Sequence, residues 1–372
     1  MKPLTLYGVP FSLWTGRVRS YLIKSGIDYR EVPHASQHFY QIVLPKAGGR
    51  RGIPTIEFAD GSVIRDGVAI VDHFEQLNGH SYSPQTPLQR IISLLLQVIG
   101  SEGLNRPCMH YRFNFGEEHG QFLPFHFSMI YEGANREQMA LERMLEIRQN
   151  VLPAWGVVPE TYELIEDLHL DMLKKLNTHF SSYPYFLGGK PCIGDFGMIC
   201  PLYGHLGRDP KPLALMHKYA VRLYRWVERM NRRDPDIGEF VDKSENYLGN
   251  DFIPESLVDV LKHFSVDFVP ETRSACECIN TWLSENADIP AGTQVPRGVG
   301  MATFEVKGLK ISAEAQPFRF YLLKRLQDEF DSLLDDSKLS IRKLLRDCDM
   351  EEVLDFKLSR HIGRANNLEV WL

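Results

Sequence analysis

The pattern of apolar and polar positions changes character twice along the chain, near residue 80 and near residue 242. Before the first change, short apolar runs alternate with helical spacing. Residues 4–8 read as a strand. Residues 13–25 read as a helix with Leu13, Val18, Tyr21, Leu22 and Ile23 as its apolar positions, Ser12 at the N-cap and Gly26 as the stop. Residues 28–32 read as a second strand, and a strand–helix–strand unit with so short a crossover implies two parallel strands. A weaker helical piece at 36–43 and a loop at 45–52 follow. Residues 55–58 and 62–65 form a hairpin signal around Ala59-Asp60-Gly61, and a helix runs from Gly67 to about Leu77 with Asp66 as its cap. The expected product is an α/β domain over residues 1–78.

Residues 78–87 are rich in Gly, Ser, Pro and Asn and read as a linker. An all-helical domain is expected over 88–241. Its first helix runs from Leu88 towards Phe115, bent near Gly100, Gly103 and Pro107. Further helices are expected at 136–151 (capped by Asn135), 160–180, 194–207 and 215–231. Residues 242–372 form a mostly helical extension, expected to pack on the helical domain. They carry apolar or helical segments at 257–264 and 274–284, a hairpin signal around Lys307-Gly308, and a helix at 317–334 that begins with a tolerated proline.

Composition narrows the function classes. A chain of 372 residues with 44% hydrophobic and 24% charged residues has room for two or three ordinary globular cores. A net charge of −6 offers no basic surface for nucleic acid. The six cysteines contain no CxxC pair, so no metal site is expected and buried free thiols of a reducing compartment fit better. The apolar run at 91–99 is too short and too interrupted to span a bilayer, and no secretory h-region is evident, so a cytoplasmic protein without a membrane role is expected.

The candidate chemistry centres on Gly52-Ile53-Pro54-Thr55-Ile56 and the loop Tyr7-Gly8-Val9-Pro10-Phe11-Ser12. A proline entering a strand cannot donate to the ladder, and it is tolerated if its bond is cis or if the unpaired edge serves a ligand. Pro54 then leaves the Ile53 N–H and C=O to pair with an extended ligand as an added strand.

Four pieces together resemble the glutathione transferase superfamily: residues 6–19, residues 52–56, residues 60–70 and the stretch 185–196 (Tyr-Phe-Leu-Gly-Gly-Lys-Pro-Cys-Ile-Gly-Asp-Phe). The resemblance covers about residues 1–240. It implies a thioredoxin-like domain followed by an all-helical one, with glutathione as co-substrate, and a dimer as the default assembly. Ser12, five residues before Arg17, matches the catalytic position of zeta- and omega-like members, while Tyr7 is its rival as thiol activator. A serine hydroxyl at a helix N-terminus would stabilise the thiolate, which is the nucleophilic form of a group near pKa 8.5. Asp66-Gly67 stands where the family has an acidic residue or Gln followed by Ser or Thr at the γ-glutamyl end. Lys46, Arg50 and Arg51 are candidates for the glycyl carboxylate. Trp14, His110 and Tyr111 are candidates for the second-substrate pocket, and Asp195 is read as a helix cap, with Cys192 in place of the family's capping Ser or Thr. The resemblance implies thiolate attack on a small hydrophobic electrophile in conjugation, detoxification or lyase chemistry. A non-catalytic binding or regulatory protein and a glutathione-dependent isomerase are the alternatives.

Overall fold

The computed structural model describes residues 3–233 and 238–372. Four residues of the expected 88–241 domain, 234–237, therefore lie outside the described residues. The chain opens with strand β1 (Leu4–Tyr7), helix α1 (Leu13–Lys24) and strand β2 (Tyr29–Val32). A π-helical turn (Phe39–Val43) and a short helix α2 (Leu44–Lys46) precede β3 (Thr55–Glu57), β4 (Val63–Arg65) and α3 (Gly67–Leu77). The sheet order is β2-β1-β3-β4, with β1 parallel to β2 and antiparallel to β3, and β3 antiparallel to β4. This is the thioredoxin-like α/β arrangement. The register places Tyr7, Thr55 and Arg65 side by side across three strands. Leu6 and Ile56, one residue along, point instead into the core with Val18, Tyr21, Leu22 and Val71. That is the period-two alternation of a strand with covered faces.

A largely helical body follows: α4 (Pro87–Val98), α5 (Asn105–Phe113), α6 (Gly116–His119), α7 (Phe122–Ser128), α8 (Arg136–Glu146), α9 (Leu152–Ala154), α10 (Tyr162–His179), α11 (Ile193–Gly204), α12 (Pro210–Tyr219) and α13 (Val221–Met230). The bend expected near Gly100 is a π-helical turn, Ile99–Gly103, between α4 and α5. Gly100 is required there: a Cβ on it would lie 2.3 Å from the Gly197 carbonyl carbon, where α11 crosses α4. Asn135 occupies the N-cap of α8, but its side chain makes no capping bond. The expected single helix at 215–231 is two helices broken at Ala220 (φ −147). Asp195 caps α11: its Oδ2 accepts from Cys192 N at 2.9 Å and its Oδ1 from Trp226 Nε1 at 2.8 Å. With both oxygens occupied inside the core, it fixes the helix rather than serving chemistry.

The C-terminal unit holds α14 (Glu255–Glu285), strands β5 (Met301–Val306) and β6 (Leu309–Glu314), α15 (Phe318–Ser332), α16 (Asp335–Asp347) and strands β7 (Ile362–Ala365) and β8 (Leu368–Trp371). The two separate segments expected at 257–264 and 274–284 are one helix that runs through Pro270. Proline removes one backbone donor, and burial of the helix on both sides of it (Phe264, Phe268, Thr272, Ala275) outweighs that loss. The hairpin around Lys307-Gly308 forms with both residues at positive φ (50 and 83), the geometry a two-residue turn requires. The hairpin β7–β8 turns at Asn366 and Asn367 in the same way. It does not stay on the helical body: its turn reaches β4 of the first domain.

Candidate functional site

Three segments that are distant in sequence converge. A Cβ added to Gly67, the first residue of α3, would lie 3.4 Å from Pro54 Cγ, 3.4 Å from the Trp14 carbonyl oxygen and 3.5 Å from Arg17 Cδ. The start of α1, the turn into β3 and the start of α3 therefore meet. The Ile53-Pro54 bond is cis. Asp66 N donates to Pro54 O at 3.1 Å, and Thr55 Oγ1 donates to Gly52 O at 3.1 Å. Among the described residues the Ile53 N–H and C=O make no hydrogen bond within the chain. They form the unpaired backbone pair expected from the sequence, beside the β1–β3 ladder that ends at Tyr7 and Thr55.

Ser12 caps α1. Its Oγ accepts from Thr15 N at 3.3 Å, which orients the hydroxyl and leaves its hydrogen available as a donor. Two arginines pin the loop that carries it. Arg19 Nη2 donates to Val9 O at 3.2 Å while its guanidinium also grips Glu31 at 2.6 and 2.7 Å. Arg112 Nη1 donates to Phe11 O at 2.8 Å, and the same guanidinium binds both oxygens of Asp209 at 2.7 Å and Gly204 O at 3.0 Å. Arg112 and Asp209 are both buried. Gly8 completes the turn: a Cβ there would lie 2.3 Å from Thr15 Cγ2.

Tyr7 is placed differently. Its hydroxyl donates to Glu57 Oε2 at 2.8 Å, and its ring lies 5.1 Å from that of Phe39, in a cluster with Val43. Burial and the neighbouring Glu57 carboxylate push its ionisation well above the ordinary tyrosine value. A phenol so held is a poor partner for a thiol.

Asp66 sits at positive φ (85), and its Oδ1 accepts from Val68 N and Ala69 N at 2.9 and 3.2 Å. It thereby carries the helix start as expected, and it presents Gly67 without a side chain. Behind it lies Glu102, a buried carboxyl on the π-helical turn. Burial pushes its pKa up to about 7, against Arg319, with Glu271, Arg17 and Asp66 among the other charges that act on it.

The cations expected near the glycyl end separate. Lys46 Nζ donates to Gly61 O at 2.7 Å, on the β3–β4 turn. Arg50 is drawn to the C-terminal unit, donating to Val295 O at 3.2 Å with Glu369 at 3.5 Å. Arg51 remains at the surface, its guanidinium 5.7 Å from the Tyr40 ring centre, and its charge together with burial keeps the neighbouring His34 neutral.

Trp14 lies on the rim, 37% exposed. His110 and Tyr111 face α10. His110 Nε2 lies 2.9 Å from Glu166 and its ring 4.5 Å from Tyr162, and Tyr111 stacks on Phe115 and meets the His169 ring at a tilt. Besides Arg112, the residues of α5 that turn towards the loop are Met109 and Phe113. They form one apolar cluster with Val9, Phe11, Leu123 and Phe127, against which Ile53 packs. Sequence reasoning missed them, and it missed Arg19 and Arg112. The available signal was an arginine inside an otherwise aromatic run, Tyr111-Arg112-Phe113, because a buried guanidinium needs several acceptors.

Residues 6–82 match the sequence model of the glutathione S-transferase N-terminal domain. The chain opens on a glutathione S-transferase N-terminal domain. The chain also has partial likenesses to solved structures. A Tau class glutathione S-transferase from mango, Mangifera indica, is 17% identical over 61% of this chain and 88% of its own, with a TM-score of 0.35. A glutathione transferase from Phanerochaete chrysosporium is 12% identical over 63% and 98%, with a TM-score of 0.44. A glutathione S-transferase from Methylobacterium radiotolerans, in complex with glutathione sulfonate, is 15% identical over 67% and 97%, with a TM-score of 0.39. At these scores the likenesses carry no argument, and the domain match, confined to residues 6–82, stands by itself. No curated protein matches. Among the described residues no helix is long and apolar enough to cross a membrane, and no group of three or more His, Cys, Asp and Glu could hold a metal ion.

Proposed function

We propose that this glutathione S-transferase-like protein binds glutathione along the Ile53 backbone and activates its thiol for attack on a hydrophobic electrophile. The observation that carries the reading is the convergence of the unpaired Ile53 main chain with the starts of α1 and α3. An extended tripeptide pairs there as one added residue of strand. Its γ-glutamyl end meets Asp66 and the Gly67 N–H, and Arg51 is the exposed cation for the glycyl carboxylate. Ser12 donates its hydroxyl hydrogen to the sulfur, and the N-terminus of α1 adds a positive dipole end. A fall of about two pKa units makes thiolate the dominant form at pH 7, a differential stabilisation of roughly 2.7 kcal/mol. The apolar cluster of Phe11, Met109, Phe113 and Phe127, with Trp14 at its rim, receives the electrophile. We assign His110, Tyr111 and Tyr7 no part in the chemistry.

The test is the pH titration of the ultraviolet absorbance of bound thiolate, with conjugation rate measured alongside. Ser12→Ala is expected to raise the apparent thiol pKa by about one unit and to lower kcat/KM about tenfold, whereas Tyr7→Phe leaves both unchanged. An unchanged titration in Ser12→Ala ends this account of activation. A second reading, a binding protein without turnover, is favoured by Gly67, which lacks the hydroxyl of its family counterparts, and by the tie between Arg50 and Glu369. Calorimetry that finds glutathione binding without conjugation of any hydrophobic electrophile tried would select it.

A further inference from the structure

The C-terminal unit brings more positive charge to the 45–52 loop than its docking uses. Glu369 on β8 is buried and faces three guanidiniums. Arg65 Nη2 donates to its two oxygens at 2.9 and 2.8 Å, Arg364 Nη1 donates at 2.6 Å, and Arg50 Nη1 lies 3.5 Å away. A fourth, Arg297, donates to Arg51 O at 2.9 Å. Each arginine is also anchored on a main-chain carbonyl: Arg50 on Val295, Arg65 on Asn367, Arg364 on Arg65 and Arg297 on Arg51. They therefore cannot swing apart to relieve the repulsion that Arg65 and Arg297 impose on Arg50. The nearest other carboxylate in sequence, Asp66, has Oδ1 engaged by the two capping N–H groups of α3.

Three cations thus contact one carboxylate, with Arg297 close enough to Arg50 to act on its charge, in a chain whose net charge is −6. Arg50, Arg65 and Arg364 are half-buried or more, with side-chain exposures of 18%, 10% and 18%, so solvent screens them only in part. Their donors are not exhausted: Arg50 Nε and Nη2 and Arg65 Nη1 have no partner among the described residues. Arg65 Nη1 lies beside Gly52, 3.8 Å from where a Cβ would stand, so the absence of a side chain keeps the approach open next to the cis-proline turn.

We propose that Arg50, Arg65, Arg297 and Arg364 form a binding site for a small oxyanion of phosphate type at the junction of the first domain and the C-terminal unit. Fixed guanidinium forks suit a tetrahedral dianion with several acceptor oxygens, and the surplus charge supplies the attraction. The site goes beyond the thiol proposal and does not depend on it. Free phosphate and a phosphate carried on a larger ligand share this chemistry, and the probe is inorganic phosphate.

The experiment titrates inorganic phosphate into the full chain at constant ionic strength held with sodium chloride, read by calorimetry and by thermal unfolding. Saturable binding near about 1 mM or tighter is expected, with a raised unfolding temperature that chloride does not reproduce. Arg297→Ala, at an exposed position, should weaken phosphate about tenfold, with thermal unfolding without phosphate as the check on the fold. Glu369→Gln removes the competing carboxylate and should tighten it, whereas a cluster that only docks the hairpin gains nothing from that change. Absence of phosphate heat beyond the chloride control, or binding that Arg297→Ala and Glu369→Gln both leave unchanged, overturns the site. A parallel glutathione titration separates the two readings. Glutathione binding without phosphate binding ends this inference alone, and phosphate binding without glutathione binding supports it while ending the thiol proposal.

Discussion

The loops at residues 8–12 and 45–52 both adjoin the cis-proline turn, yet different parts of the chain hold them. The first is fixed from within the first 210 residues, by Arg19 on Val9 O and Arg112 on Phe11 O. The second is fixed by the last 80 residues, through Arg297 on Arg51 O, Val295 O on Arg50 and Asn367 on Lys46 O. The half of the groove assigned to sulfur chemistry is thus prearranged by the domain pair. The half assigned to anions is completed only when the C-terminal unit is in place. The two loops are therefore held by different partners.

The largest expected effect separates the two. Arg112→Ala strips both oxygens of the buried Asp209 and the carbonyls of Phe11 and Gly204 of their donor. An unpaired buried carboxylate costs about 3–5 kcal/mol, and urea unfolding should register it. If the variant keeps wild-type stability, the first loop is not held as described. A smaller effect is set by acidity and reports on the second loop. Burial and the nearby Arg51 lower the pKa of His34 from 6.5 to about 4. The unfolded chain binds more protons than the folded one between those values, so stability is full above pH 6.5 and falls as the pH drops towards 4. His34→Gln should flatten that slope by about 2 kcal/mol in urea midpoints taken across the window, and an unaltered slope would detach His34 from the loop's stability. The smallest effect is a gain. Gly67 has ordinary van der Waals room for a side chain, with Pro54 and Trp14 atoms at 3.4 Å. Gly67→Ser should restore one hydrogen bond to the γ-glutamyl end, tightening glutathione severalfold, about 1 kcal/mol. No gain in calorimetry would move that end of the ligand elsewhere.

The parts of the fold that were legible in the sequence are those with local chemistry. The X-Pro strand entry, the Asp-Gly turn and the Lys307-Gly308 turn each specify a backbone geometry by themselves. The face of α5 was not legible: every residue from Arg106 to Phe113 is buried, so periodicity could not tell which positions look at the loop. His110 and Tyr111 were the expected pocket residues; they pack towards α10, while Met109 and Phe113 share a cluster with Phe11. The hairpin at 362–371 was missed because Ile-Gly-Arg-Ala has no clean alternation and its turn is Asn-Asn. The charge cluster it completes joins positions some 300 residues apart, and no window of sequence contains both sides.

Asn367 deserves one last consequence. A sheet's outermost strand normally offers its amides to any passing strand. On β4 those groups are Arg65 N, which donates to Asn367 Oδ1 at 3.2 Å, and Val63 O, which accepts from Asn367 Nδ2 at 3.0 Å. The Asn367 carboxamide thus takes one amide and one carbonyl of that margin, and Arg364 takes the Arg65 carbonyl. Those groups are withheld from foreign chains without lengthening the sheet.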